Sequence, residues 1–103
     1  MALELRPNCE YCDKDLPPAA LDACICSYEC TFCRHCVDVH LENVCPNCGG
    51  GFTARPIRPK TEWRPGLSLA KRPGSNDRRT LSYPLEDIQA LSQKIKGIAP
   101  EDR

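Results

Sequence analysis

The apolar residues of the chain fall into two unequal sets. Through residue 52 they are sparse: cysteine apart, the main ones are Leu3, Leu5, Leu16, Leu21, Ile25, Phe32, Val37, Leu41, Val44 and Phe52. That set is too small for a sizeable core, and units of this length usually need a disulfide, a metal or a partner to stay folded. Val37, His40, Leu41 and Val44 share one helical face. In residues 53–79, Arg55-Pro56, Arg58-Pro59, Arg64-Pro65-Gly66 and Arg72-Pro73-Gly74 punctuate the chain. Each residue before a proline is biased away from helix, so this stretch is predicted to be an extended or disordered linker, partly polyproline-like. Beyond it, Leu85, Ile88, Leu91 and Ile95 repeat at helical spacing and predict a short amphipathic helix over 84–96. Pro84 suits its first position, Glu86 and Asp87 the first turn, Lys94 and Lys96 the last, and Gly97 the cap. Such a helix is marginal alone in water. It should dock on the N-terminal part, on a second copy or on a partner. No stretch approaches membrane-spanning length, so no membrane partner is expected.

Charge divides the chain at the same place. The 103 residues sum to zero, but residues 1–52 carry 3 Lys/Arg against 8 Asp/Glu, a net of −5, and residues 53–103 carry 11 against 6, a net of +5. Within 53–79 the ratio is 8 to 2. Arg55, Arg58, Lys60 and Arg64 surround Trp63, and cations interleaved with an aromatic can track a nucleic-acid backbone and stack a base. The competing reading is a solvated linker whose Trp packs on the N-terminal part, whose acidity would repel phosphates. Asp13, Asp15 and Glu42 have no neighbours in sequence that imply acid–base work and are expected at the surface.

The chemistry lies in the cysteines. All nine fall between Cys9 and Cys48. Their number is odd, and the start Met-Ala-Leu-Glu-Leu-Arg-Pro has no apolar signal region. The expectation is therefore a reducing cytoplasm, where clustered Cys-x-x-Cys pairs read as metal ligands rather than disulfides. The spacing is Cys9-x2-Cys12, Cys24-x-Cys26-x3-Cys30, Cys33-x2-Cys36 and Cys45-x2-Cys48. A Cys-x-x-Cys turn aims both sulfurs at one point, and two such pairs make the tetrahedral four-sulfur site that Zn²⁺ accepts. In Cys45-Pro46-Asn47-Cys48-Gly49, proline and asparagine preset the turn and glycine tolerates the positive φ that follows. Eight ligands make two sites for two Zn²⁺, and Cys24 is set aside as the spare, either an inert small side chain or a reactive thiol. Only Thr31 and Phe32 separate the two central pairs, so these should serve different ions. Two groupings remain. The crossed one joins Cys9, Cys12, Cys33 and Cys36 at one site and Cys26, Cys30, Cys45 and Cys48 at the other. The sequential one joins the first two pairs and the last two, as in LIM-type modules. His40, four residues after Cys36, is read as a packing histidine beside the site, and His35 as exposed.

This cysteine pattern resembles a RING finger with cysteine in place of the frequent histidine ligand, and that resemblance implies the crossed grouping. A closer one is carried by Leu5-Arg6-Pro7-Asn8-Cys9-Glu10-Tyr11-Cys12-Asp13-Lys14-Asp15-Leu16-Pro17-Pro18, by Ile25-Cys26-Ser27-Tyr28-Glu29-Cys30-Thr31-Phe32-Cys33 and by Cys45-Pro46-Asn47-Cys48-Gly49-Gly50. Over about residues 3–59 the chain resembles the domain-of-unknown-function family numbered twelve-seventy-two. That implies a bacterial, cytoplasmic, cysteine-rich zinc protein. The expected fold is a small metal-stabilised α+β unit: a RING-like or treble-clef module with two four-cysteine sites over 1–52, a basic linker over 53–79, and a tail over 80–103 holding the helix. Closed four-sulfur sites are structural, since catalytic zinc needs a vacant position. The expectation is thus a protein-binding module and no enzyme. The alternatives are nucleic-acid binding through the basic segment, a thiol or zinc sensor that releases metal on oxidation, and a ubiquitin-ligase-like role. Against the last, Glu10-Tyr11 and Gly49 stand where RING ligases place an aliphatic and a basic residue.

Overall fold

The computed structural model describes residues 2–103. Its centre is a three-stranded antiparallel sheet. β1 (Ala23–Ile25) pairs with β2 (Thr31–Cys33), placing Ala23 opposite Cys33, Cys24 opposite Phe32 and Ile25 opposite Thr31. β3 (Thr53–Ala54) adds to the other edge of β1, giving the order β2-β1-β3. β-branched and aromatic residues at Ile25, Thr31, Phe32 and Thr53 suit a pleated surface. The module therefore does not close at residue 52: the next two residues complete its sheet.

Phe32, Leu16, Leu41 and Val44 are fully buried, together with Cys9, Cys24, Cys36 and Cys45. Phe32 meets Phe52 edge-on at 5.3 Å. Leu5 and Val37 join them, whereas Leu21, in the turn entering β1, is 89% exposed. After β2 the chain makes a π-helical turn (Cys36–His40), closed by the Leu41 N–H donating to the Cys36 carbonyl at 2.8 Å. The wider turn leaves Val37 and Leu41 inside but carries His40 off their shared face into solvent.

The segment read as a linker is extended only at its two ends, folds into turns over residues 60–72, and is tied to the module. Ser75 N–H donates to the Leu5 carbonyl, Leu81 N–H to the Glu10 carbonyl, and the buried Asn8 exchanges hydrogen bonds with the Arg79 backbone. Arg78 bridges Asp13 and Asp15. The helix α1 (Leu85–Ile95) follows. Pro84 is its N-cap, not its first residue, because its ψ of 152° is still extended. Of the docking surfaces open from sequence, the module holds it. Ile88 and Ser92 are buried, the Ser92 hydroxyl donates to the Leu41 carbonyl at 3.0 Å, and Gln93 and Lys96 reach the Glu42 carboxylate. Leu91 and Ile95 are half-buried on the same side, whereas Leu85, expected on the apolar face, lies in the first turn and is 58% exposed. Among the described residues, no helix is long and apolar enough to cross a membrane.

Candidate metal centre

Two turns of the same design present the first and last cysteine pairs. At the first, the Cys9 N–H donates to the Lys14 carbonyl (2.8 Å) and the Asp13 N–H to the Cys9 carbonyl (2.9 Å), with Asp13 at φ 63°. Aspartate is among the few non-glycine residues that visit this region readily. At the last, the Cys45 N–H donates to the Gly50 carbonyl (2.8 Å) and the Gly49 N–H to the Cys45 carbonyl (2.7 Å), with Gly49 at φ 81°. Both turns aim backbone N–H groups at sulfur: Lys14 toward Cys12, and Gly50 toward Cys48 at 3.4 Å. The second pair flanks the turn of the β1–β2 hairpin, where the Tyr28 N–H donates to Cys26 Sγ at 3.3 Å. The third pair bridges the end of β2 and the start of the π-helical turn.

The hairpin folds the middle of the chain back between these turns, and the thiols gather crosswise. The sulfurs of Cys9, Cys12, Cys33 and Cys36 lie within 4.8 Å of one another. Those of Cys26, Cys45 and Cys48 do the same. Cys30 stands outside that tight triad; it faces Cys26 across the hairpin turn, where the Cys26 N–H donates to its carbonyl at 3.2 Å, and its buried thiol is the candidate fourth sulfur of the second cluster. A tetrahedral metal with bonds of about 2.3 Å to sulfur has S···S edges of about 3.8 Å. Cys12 Sγ and Cys33 Sγ are 3.8 Å apart. Sulfur-only donors at tetrahedral spacing, with N–H groups aimed at them, fit a soft or borderline divalent cation. In each cluster three thiols are buried and one is exposed, Cys12 in the first and Cys48 in the second.

Protons alone satisfy such clusters poorly. Burial pushes the Cys26 thiol up to about 11 and also raises Cys9 and Cys36. The hydrogen bond from Cys45 pulls Cys30 down to about 5, and the same contact drives Cys45 upward. One thiolate is thus sheltered at the expense of its neighbours. A divalent cation removes that competition by favouring the thiolate at every sulfur.

Cys24 lies in β1, fully buried and outside both clusters, and burial raises its pKa. His40 belongs to neither cluster; its ring stacks on Tyr11 at 4.7 Å, and His35 meets it edge-on at 5.5 Å. The basic set is dispersed. Arg55, read as a nucleic-acid contact, is 4% exposed, because its guanidinium donates to the carbonyls of Arg6, Leu16 and Pro17 beside the sheet edge. Arg58 donates to the carbonyls of Leu3 and Arg72. Lys60, Trp63 and Arg64 remain exposed.

One residue that the sequence reading passed over joins the clusters. Glu10 sits between Cys9 and Cys12 and is 5% exposed. Its carboxylate accepts from Arg6 Nη1 (3.0 Å), from the Thr31 N–H beside Cys30 (2.7 Å) and from Asn47 Nδ2 between Cys45 and Cys48 (3.2 Å). Arg6 in turn holds Glu4 at 2.9 Å. The sole sequence signal was the four-residue spacing of Arg6 and Glu10, which carries weight only on a helix.

Fold and site together define a cysteine-rich α+β protein whose two thiol clusters can hold metal ions. The chain belongs to the family described as Protein of unknown function (DUF1272), which matches residues 2–58. It is similar to Uncharacterized protein R02474 of Rhizobium meliloti (strain 1021), with 51% identity over 99 residues, 96% of this chain and 95% of the relative. That match therefore runs through the basic segment and the helix as well. No solved structure matches the chain.

Proposed function

We propose that this chain is a structural two-zinc module of RING-like, treble-clef design that serves protein–protein interaction or regulation in a reducing cytoplasm. The observation that carries the reading is the crosswise gathering of four thiols in one cluster and three, with Cys30 beside them, in the other, the first showing a tetrahedral S···S edge of 3.8 Å. The ligands are Cys9, Cys12, Cys33 and Cys36 at one ion, and Cys26, Cys30, Cys45 and Cys48 at the other. When bound, zinc supplies charge neutralisation and crosslinking, about 10–16 kcal/mol per structural site near neutral pH. Four sulfurs per ion leave no position for water or substrate, which supports a non-enzymatic role. Arg55 and Arg58 are engaged inside the fold, which weighs for a protein partner over nucleic acid.

Elemental analysis of protein purified without added metal tests this. Two zinc per chain is the expected result. One zinc, or iron with visible colour, overturns it, since four-sulfur sites accept iron as well. A strong chelator should collapse the dispersed amide NMR signals from Cys9 to Cys48. Their survival would make the metals accessories to an independent core.

A further inference from the structure

Residues 58–72 form a closed loop without regular strand or helix. Leu69 N–H donates to the Pro59 carbonyl (2.8 Å), Arg72 N–H to the Ser68 carbonyl (2.8 Å), and the Arg58 guanidinium to the carbonyls of Arg72 and Leu3. The Glu62 carboxylate takes the Gly66 N–H at 2.8 Å and ties the tip. Ser68 is buried inside. Loops this long that are ordered yet lack secondary structure are uncommon in compact domains, and such loops often carry function.

This loop does not turn its large apolar residues inward. Trp63, the one tryptophan of the chain, is 78% exposed, and Leu67 is 60% exposed. Beside Leu67 runs a groove of about 670 Å³, lined by Ala2, Pro59, Leu67 and Ser68 with Arg58 and Arg72. The loop bears Arg58, Lys60, Arg64, Lys71 and Arg72 against the single acid Glu62. An apolar groove flanked by Arg58 and Arg72, on a loop that also exposes a tryptophan and further cations, has the composition of an interface centre.

We propose that this loop is the docking surface for an acidic segment of a protein partner. A bulky apolar side chain of that segment enters the groove beside Leu67. Flanking carboxylates face Arg72 at the groove and the exposed Lys60, Arg64 and Lys71 of the same loop, which also carries the exposed Trp63. The assignment rests on the protein-binding reading above, not on the identity of the metal. Two observations favour it over nucleic acid. The groove is chiefly apolar, which suits a side chain and not a phosphodiester. The adjoining residues 1–52 carry −5, so the cations do not continue as a track for successive phosphates.

The test uses the full-length, metal-loaded chain and Trp63 emission. The probe is a synthetic glutamate-rich peptide holding adjacent phenylalanine and leucine. The controls are the same peptide with serine at those two positions, and oligo-dT. The expected result is a blue shift with the first peptide alone, weakened by salt, with affinity falling about tenfold in Leu67→Asp and in Arg64→Glu. Both positions are exposed, so both variants should keep their metal content. Calorimetric binding of the peptide with equal affinity to wild type and Leu67→Asp would leave protein binding standing and overturn the loop as its site. Binding of oligo-dT without binding of the peptide would overturn both readings. No binding of the peptide to wild type overturns the proposal.

Discussion

Glu10→Ala is the substitution with the widest expected reach. The carboxylate is buried and accepts three hydrogen bonds, from Arg6, from the Thr31 backbone and from Asn47. Truncation leaves the Thr31 N–H without that partner and removes one of the two carboxylates facing Arg6, whose side chain is 10% exposed. Removing one member of a buried ion pair costs about 3–5 kcal/mol. Arg6 keeps Glu4 at 2.9 Å, which places the loss near the lower end, about 3 kcal/mol. Glu10→Gln can keep the oxygen that accepts from both Thr31 and Arg6 but loses the charge and turns a donor toward Asn47 Nδ2, so its cost should fall between wild type and Glu10→Ala. The loss should not stay local. Glu10 lies between two cysteines of the first cluster, and its partners lie beside and between cysteines of the second. Competition with a graded chelator, followed by amide signals near Cys9 and near Cys45, should show both clusters surrendering metal at lower chelator concentration than in wild type. Weakening confined to the Cys9 cluster, or a shift worth less than about 1 kcal/mol, would refute the idea that this carboxylate ties the two together.

Cys24→Ser should retain two metals per chain and Cys26→Ser only one, by elemental analysis; the reverse would mean that Cys24 is a ligand. Arg55→Met should strip the carbonyls of Arg6, Leu16 and Pro17 of their donor and lower stability by about 2–4 kcal/mol, read as a reduced denaturant midpoint. Ile88→Ala opens a cavity at a residue 3% exposed and should weaken docking of α1 by about 2–4 kcal/mol. Faster proteolysis after residue 81, with unchanged metal content, is the expected sign. The hydrogen bond from Arg6 outweighs burial and holds the Glu4 carboxyl below its ordinary 4.5. Its contribution is therefore complete above pH 4.5 and fades as pH falls through the lowered value. The stability gap between wild type and Glu4→Gln should accordingly be full at neutral pH and shrink in acid, and a gap that widened in acid would contradict the pairing.

What the sequence determined by itself is whatever neighbouring residues decide. Cys-x-x-Cys turns form from residues within a few positions of one another, so the first and last pairs and their positive-φ corners at Asp13 and Gly49 follow from local chemistry. The periodicity of Ile88, Leu91 and Ile95 gives a helix within a residue or two of its bounds, and the scarcity of apolar side chains already says that sulfur must contribute to the core. The spacing could not choose between crossed and sequential grouping, because both satisfy every local turn. That choice comes from the β1–β2 hairpin, which returns Cys33 and Cys36 to the first turn and leaves Cys26 and Cys30 facing the last. Arg55 and Glu10 are the same case in charge. In a sequence each reads as a solvated surface group, since burying an ion unassisted is costly. Only the tertiary structure brings three carbonyls to the one and three donors to the other, from residues as far as 49 positions away, and so makes their burial tolerable.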